Sequence, residues 1–323
     1  MNYRRLGRSG LKVSELSLGS WVTYGGQVDQ DTSLRCIRQA FDLGVNYFDC
    51  ADIYAEGKAE QVLGKAIQGI PRNELVISTK LFWPTMKGPN GRGLSRKHIF
   101  ESIAASLKRL GLDYVDLYFC HRFDPEVPIE ETVRGMDDLV HQGKVLYWGT
   151  SEWHADQIAS AFDAAREFHC QPPSMDQPQY NLLRRRRVEH ELARLTERYG
   201  IGLTVFSPLA FGLLTGKYNE GIPAGSRATL PGYEWIREES LAPERIEKAR
   251  RFTLLAKELG LPPAQLAIAW CLRSPLVSSV ITGASRVEQV RENLGAAEAQ
   301  SQLTAEVLAR LDEIFAPPKR EEA

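Results

Sequence analysis

The segment VNYFDCADIYAEG, residues 45–57, ends a short apolar run on Asp49 and reaches Tyr54 five residues later. An isolated phenol has a pKa of about 10 and is a poor proton carrier at neutral pH. A cation beside it changes that. Two further runs end on suitable partners, since ELVISTK closes on Lys80 and VDLYFCH closes on His121. An ammonium about 4 Å from the phenol oxygen, at an effective dielectric of about 20, favours phenolate by about 4 kcal/mol, or roughly three pKa units, with burial opposing part of it. Such a phenol falls in the range where general acid–base catalysis works. In this scheme Asp49 holds the Lys80 ammonium, and His121 donates to a carbonyl oxygen on which charge develops. A plainer reading stays open: Asp49 and Lys80 as a structural ion pair, Tyr54 as a partly buried aromatic, His121 as a satisfied core histidine.

Each of these residues closes or follows a short run rich in β-branched and aromatic residues. Eight such runs, at 14–20, 45–51, 74–80, 115–121, 145–151, 173–179, 202–208 and 277–283, alternate with segments of helical period. Helical patterns such as SRKHIFESIAASLKRLG and IEETVRGMDDLVHQG end at Gly, the usual residue just past a helix. Strands alternating with crossover helices imply parallel pairing and right-handed connections. The expectation is an α/β fold over residues 1–323 as one domain, a (β/α)8 TIM barrel with an N-terminal β-hairpin from YRRLGRSGLKV and long loops at its C-terminal face. A doubly wound sheet is the alternative, weakened because no G-x-G-x-x-G follows any candidate strand.

In a barrel the reactive groups gather at the C-terminal strand ends. Those ends add Ser151, Gln177, Phe206, Ser207 and Ser285 to the first four residues. Trp21 and Trp83 follow the first and third runs, where they could line a substrate pocket with Tyr54 and His121 or simply pack at the rim. Residues 210–241 form an unusually long connection, read as a lid over a ligand.

With 40 Lys and Arg against 41 Asp and Glu, the net charge of -1 gives no field for nucleic acid or an anionic membrane. Neither partner is expected. No apolar run is long enough to span a bilayer, so a cytoplasmic location without membrane insertion is expected. The five cysteines are scattered without a C-x-x-C, which fits reduced thiols; Cys50 and Cys120 beside the cluster keep a redox role conceivable, though small apolar filler is the plainer reading. No metal is expected, because VEHELAR begins like H-E-x-x-H but carries Arg194 where the second histidine belongs. The RRRR run at 184–187 reads as a solvated helix start.

Along almost its whole length the chain resembles the aldo-keto reductases, through FDCADIY, VISTK, FCHR, GTSEW, DQPQYNLL, FSPLAFGLLTGKY and GASRVEQVRENLGA. GLSRKHIFESIAASLKRLGLDYVDLYF, GKAEQVLG and QLAIAWCLRSPLVSSVITGAS look most like the branch of potassium-channel β subunits and their bacterial relatives. The resemblance implies an NADP(H)-dependent reductase of small-molecule carbonyl compounds, with Asp49, Tyr54, Lys80 and His121 matching the family's tetrad. Gly19, Ser20, Trp21, Asp49, Ser151 and Gln177 would lie at the nicotinamide, with Phe206 stacked on its ring. Ser207, Pro208, Leu209, Gly212 and Lys217 would surround the pyrophosphate; Arg227, Gly283, Ser285, Gln289, Glu292 and Asn293 would bind the adenosine end, with Arg286 a weaker candidate for the 2′-phosphate. Two positions depart from the pattern. Glu152 stands where many members have Asn, and is left out of the cofactor contacts; His121 stands where several channel β subunits have Asn, which argues for competent reduction. The same branch implies a homo-oligomer, a tetramer or higher, and an alternative role as an NADP(H)-binding, channel β-subunit-like protein with slow turnover. A metal-dependent hydrolase on the same barrel is a third reading and lacks a ligand set.

Overall fold

The computed structural model describes residues 1–230 and 232–316, with Glu239 described by its backbone alone. The chain divides into two compact units, the first Met1–Gln179, Arg186–Phe206 and Pro275–Arg291, the second Tyr180–Arg185, Ser207–Ser274 and the chain from Glu292 onward.

The first unit holds the whole barrel. Strands β1 (Tyr3–Arg5) and β2 (Lys12–Ser14) pair antiparallel as the expected hairpin. The barrel strands are β3 (Leu16–Gly19), β4 (Tyr47–Asp49), β5 (Val76–Leu81), β6 (Val115–Cys120), β7 (Val145–Thr150), β8 (Met175–Asp176), β9 (Gly202–Val205) and β10 (Val277–Thr282). Each pairs parallel with the next, and β10 closes on β3 with Val280 opposite Leu16, giving the (β/α)8 TIM barrel. β5 and β6 are buried at every position, which is why VISTKL and VDLYFC carry apolar or small residues on both faces apart from Lys80 and Asp116, each of which is ion-paired. All eight runs read from the sequence contain a strand, and the strands are shorter than the runs. β8 is the extreme case: Pro172, Pro173 and Pro178, which have no N–H to donate, bracket its two residues.

Helices α1 (Gln30–Asp42), α2 (Lys58–Ala66), α3 (Arg96–Leu110), α4 (Ile129–His141), α5 (Ala155–Glu167) and α6 (Ala193–Tyr199) belong to this unit. Their ends follow local chemistry. Asp29 caps α1 by accepting from the Thr32 amide at 2.9 Å, Ser95 caps α3, and α3 stops at Gly111 with φ +67°. The hairpin covers the end of the barrel where the strands begin. Its Leu6 and Val13 pack with Tyr47, Val76, Leu117, Phe119, Met175 and Ile281 in one cluster. Gly7, at φ +56°, is held so close to the start of β9 that a Cβ would lie 2.2 Å from the Gly200 carbonyl oxygen.

The second unit contains α7 (Trp235–Ser240), α8 (Pro243–Glu258) and α9 (Pro263–Leu272); α10 (Val287–Leu294) starts in the first unit, and α11 (Ala296–Ala299) and α12 (Ala305–Phe315) complete the second. Residues 210–241 are not a structureless connection: 3-10 turns at Ala210–Thr215 and Arg227–Thr229 precede α7, and Phe211 meets the Trp235 ring edge-on at 5.1 Å. Among the described residues no helix is long and apolar enough to cross a membrane.

The RRRR run departs from the expected solvated helix start. Arg184 and Arg186 are exposed, but Arg185 pairs with Asp312 and lies over the Trp270 ring at 5.1 Å. Arg187 opens a π-helical turn and is drawn inward to Glu152 at 2.8 Å.

Candidate active site

Asp49 ends β4, register partner to Gly19 on β3, and Lys80 is the fifth residue of β5. Parallel strands in this register bring the two side chains together: Lys80 Nζ donates to Asp49 Oδ2 at 2.6 Å and to the Cys50 carbonyl at 2.7 Å. The other Asp49 oxygen accepts from Ser78 Oγ at 2.7 Å and Gln177 Nε2 at 2.9 Å. A buried carboxylate bonded on both oxygens is held fixed. Lys80 Nζ also donates to the Tyr54 hydroxyl at 3.3 Å. His121 follows β6, its ring edge-on to Tyr54 at 5.9 Å and to Trp83 at 6.3 Å. The structure therefore brings the four expected residues into one cluster, with Trp83, 37% exposed, at its rim.

Tyr54 reaches this position through an unusual turn. In Tyr54–Gly57 the residues Ala55, Glu56 and Gly57 have φ of 48°, 56° and 84°. Two non-glycine residues at left-handed values cost on the order of 1–2 kcal/mol each. Arg109 lies across this turn, its Cδ 2.7 Å from where a Gly57 Cβ would be, and its Nε donates to Glu60 at 2.5 Å. Glu60 is fully buried and accepts from Thr79 Oγ1 at 2.5 Å, so the turn is tied to the strand that carries Lys80.

The electrostatics correct one expectation. The Tyr54 phenol is pushed well above its usual value, first by burial and then by the Asp49 carboxylate. Asp49, 2.6 Å from the ammonium, cancels the field that Lys80 alone would exert. Tyr54 is thus a protonated phenol, the form a proton donor needs. Burial, then Lys80 and Arg122, holds His121 well below its usual range, so it is neutral; its Nδ1 is buried without a partner. Burial pushes the Cys50 and Cys120 thiols up, which keeps them protonated and unreactive.

Several residues support the cluster; Glu152 was noted in the sequence only as a departure from the family pattern, and Asp176, Asp52 and Arg122 were not singled out. Glu152, at φ +59°, accepts the Gln179 amide at 2.6 Å and pairs with Arg187, fixing the exit of β8. Asp176 accepts from Thr150 Oγ1 at 2.7 Å and is pushed up to about 7 by burial. Asp52, beside the Tyr54 turn, accepts from Ser102 at 3.0 Å and is likewise pushed up to about 7, by burial and Glu60. Arg122 stands next to the cluster, its guanidinium 5.8 Å from the Trp83 ring. The only sequence signal for Arg122 was its place directly after His121 in FCHR.

Of the expected cofactor residues in the first unit, Ser20 donates its hydroxyl to the Asp49 carbonyl at 2.9 Å, with Trp21 half-buried after it. At Gly19 a Cβ would lie an ordinary 4.0 Å from Asp49 Oδ2 but 2.7 Å from Ile281 Cγ2, so a side chain here would push the isoleucine aside. Ser151 Oγ donates to the Gln177 carbonyl at 2.9 Å, and Phe206 follows β9, packed against the barrel cluster. Gly283 and Ser285 follow β10; the Ser285 amide and hydroxyl both bond Gln289 Oε1, at 2.8 and 3.0 Å, at the start of α10. Here a polar cavity of about 380 Å³ is lined by Gln27, Asp29, Arg35, Ser285, Arg286 and Glu288, among others.

In the second unit, Ser207, Ala210, Phe211 and Gly212 all have left-handed φ, with Pro208 and Leu209 between them. The run closes on itself, the Ala210 amide donating to the Ser207 carbonyl at 3.0 Å and the Gly212 amide to the Leu209 carbonyl at 2.9 Å. Lys217 lies against Gly212, and burial together with Arg227 lowers it to about 8. Arg227 is half-buried, lowered by loss of water and partly restored by the nearby Tyr218 and Tyr233. Glu292 is exposed and its carbonyl accepts from Gln265 at 2.8 Å; Asn293 is buried. Among the described residues no three His, Cys, Asp or Glu side chains are grouped as a metal site requires.

Comparison with known proteins bears on the same residues. The profile of the Aldo/keto reductase family matches residues 15–316. A protein of Arabidopsis thaliana named "Probable voltage-gated potassium channel subunit beta" is 49% identical over 327 residues, covering 100% of this chain and 99% of the relative. A protein of the same name from Oryza sativa subsp. japonica is 48% identical over the same shares. A "Putative voltage-gated potassium channel subunit beta" of Schizosaccharomyces pombe is 49% identical over 97% of this chain and 93% of its own length. With the profile running from the first barrel strand past α12, and with relatives near half identical end to end, the chain belongs to the aldo/keto reductase family.

Proposed function

We propose that the chain reduces aldehydes or ketones with NADPH, and the observation that carries this reading is the Lys80 ammonium standing between the Asp49 carboxylate and the Tyr54 hydroxyl beside His121. The residues present fit a nicotinamide cofactor. Gln177 gives its amide N–H to Asp49, which leaves Oε1 to accept from a carboxamide, and Ser151 Oγ keeps lone pairs for the same group. Lys217, exposed, and Arg227, half-buried and close enough to lower the lysine, suit a phosphate and underlie the choice of NADPH over NADH. Bound there, the cofactor would supply the hydride.

The protein's own part is proton transfer and charge stabilisation. Tyr54 donates its phenolic proton to the carbonyl oxygen of the substrate as charge builds on it. The phenolate left behind is stabilised by Lys80, which Asp49 holds in place. Neutral His121 donates one ring N–H to the same oxygen and orients the carbonyl. General acid catalysis of this kind contributes about 10²- to 10⁴-fold.

The test follows loss of NADPH absorbance with aromatic and aliphatic aldehydes, wild type against Tyr54→Phe. Turnover by the wild type, with kcat reduced at least about 100-fold in a variant that still binds NADPH, supports the reading. Equal kcat in the two proteins would refute Tyr54 as the proton donor.

A second reading is favoured by the names of the relatives. The chain would be an NADP(H)-binding regulatory subunit of a channel, slow in turnover and working as a tetramer or higher assembly. Copurification of a channel protein with a cofactor-loaded chain that reduces nothing on the panel would select it.

A further inference from the structure

Arg122 is a half-buried guanidinium at the mouth of the tetrad. Its Nη1 donates to the His121 carbonyl at 2.5 Å, and its guanidinium lies 5.8 Å from the Trp83 ring, which in turn meets His121 edge-on at 6.3 Å. It has no counter-ion: among the described residues no carboxylate comes within 4 Å of it. Glu152, the acid that acts on it most strongly, is already engaged by Arg187 at 2.8 Å and by the Gln179 amide at 2.6 Å.

The local charge count points the same way. Lys80 and Asp49 neutralise each other, which leaves Arg122 and Arg187 facing Glu152 and Asp176. Asp176, pushed up to about 7, is only partly ionised at neutral pH. A surplus of positive charge therefore sits at Arg122, where burial has already stripped water from the guanidinium. A structural arginine in this setting would be paired. The planar fork of a guanidinium matches the two oxygens of a carboxylate, and the indole of Trp83 offers an apolar wall beside it.

We propose that Arg122 sets substrate choice at this site by binding the carboxylate of an oxo acid, an aldehyde or ketone whose carboxylate is separated by a short spacer from the carbonyl presented to Tyr54 and His121. The assignment rests on the reductase reading above and names its substrate class. The unreacting carboxylate holds the molecule at Arg122, while the carbonyl end lies toward the phenol.

The experiment compares 4-carboxybenzaldehyde with its methyl ester at saturating NADPH, in wild type, Arg122→Gln and Arg122→Lys. The ester is the more electrophilic aldehyde, so a preference for the acid cannot come from intrinsic reactivity. Wild type is expected to favour the acid in kcat/KM by about 10- to 100-fold, mostly through KM, as a charged hydrogen-bonded contact supplies. Arg122→Gln should bring the ratio near one, and Arg122→Lys should restore part of it. Calorimetry with benzoate gives a readout without turnover: binding should weaken about tenfold or more in Arg122→Gln. A wild-type ratio near one, or equal benzoate affinity in the two proteins, overturns the Arg122 assignment and leaves the reductase reading standing. If NADPH binds but neither aldehyde is reduced, the reductase reading falls and the oxo-acid assignment falls with it.

Discussion

Replacing Lys80 with methionine separates what the Asp49–Lys80 pair does for the fold from what it does for chemistry. The two charges are 2.6 Å apart, with side chains 0% and 5% exposed. At an effective dielectric of about 20 their gross attraction is about 6 kcal/mol, offset by several kcal/mol of desolvation for each ion. Removing one partner leaves the other buried and uncompensated, which costs about 3–5 kcal/mol. Ser78 and Gln177 still donate to Asp49 in the variant, which places the loss toward the lower end of that range. Asp49→Asn combined with Lys80→Met removes both charges, and should recover at least about 1.5 kcal/mol of the loss. The assay is urea unfolding followed by tryptophan fluorescence for wild type, both single variants and the double. NADPH-dependent turnover, in contrast, should fall at least about 100-fold in Lys80→Met and stay low in the double variant. Free energies that add to within about 0.5 kcal/mol would mean that the two charges do not stabilise one another, and would refute the argument.

Asp52 gives a pH test. A carboxyl held near 7 in the folded chain and near 3.8 when unfolded binds its proton more tightly when folded, so the stability it contributes falls as pH rises from about 4 to 7, by at most about 4 kcal/mol. Asp52→Asn, which cannot ionise, should therefore gain on wild type by about 2–3 kcal/mol between pH 5 and pH 8 in urea unfolding, and a difference independent of pH would sink the assignment. Gly57→Ala places a Cβ at φ +84° and 2.7 Å from Arg109 Cδ, so it should cost about 1–2 kcal/mol of stability and lower kcat by disturbing the Tyr54 turn; an unchanged melting midpoint and kcat would show that the turn tolerates the methyl group. Arg227→Gln should raise the NADPH dissociation constant about tenfold while leaving that of NADH nearly unchanged, and equal affinities of the wild type for the two cofactors would remove the basis for the preference.

The barrel and the tetrad were legible because each catalytic candidate closes or follows a short run bounded by turn residues, and a closed parallel sheet converts adjacency of strand ends into contact. Asp49 and Lys80, 31 residues apart in the chain, needed only the β4–β5 register to meet. Other features depend on distances that no spacing encodes. The Tyr54 pKa was misjudged because burial, allowed for only in part, is the largest effect, and because a pairwise estimate with Lys80 omitted the carboxylate bound to that same ammonium. Arg187 read as solvated because a run of four arginines gives no hint that a π-helical turn carries one of them inward to Glu152. The Tyr54 turn was signalled only by Gly57, since Ala55 and Glu56 rarely take left-handed φ and are held there by Arg109 and Glu60 from outside the segment. The same holds for Glu152, whose bonds to the Gln179 amide and Arg187 lie 27 and 35 residues away.

The hairpin at the start of the barrel fixes an order of events during synthesis. Residues 3–14 leave the ribosome before any barrel strand, yet Arg8 bonds Gly200 and the guanidinium of Arg4 bonds the Val277 carbonyl, 273 residues downstream. β3 likewise waits for β10, and Asp49 waits 128 residues for Gln177. Until the last strand is made, the opening residues and the central carboxylate have no native partners on one side. An incomplete chain therefore exposes apolar hairpin residues such as Leu6 and Val13, the surface on which a holding chaperone acts, and Asp49 acquires its fixed surroundings only when the ring is complete.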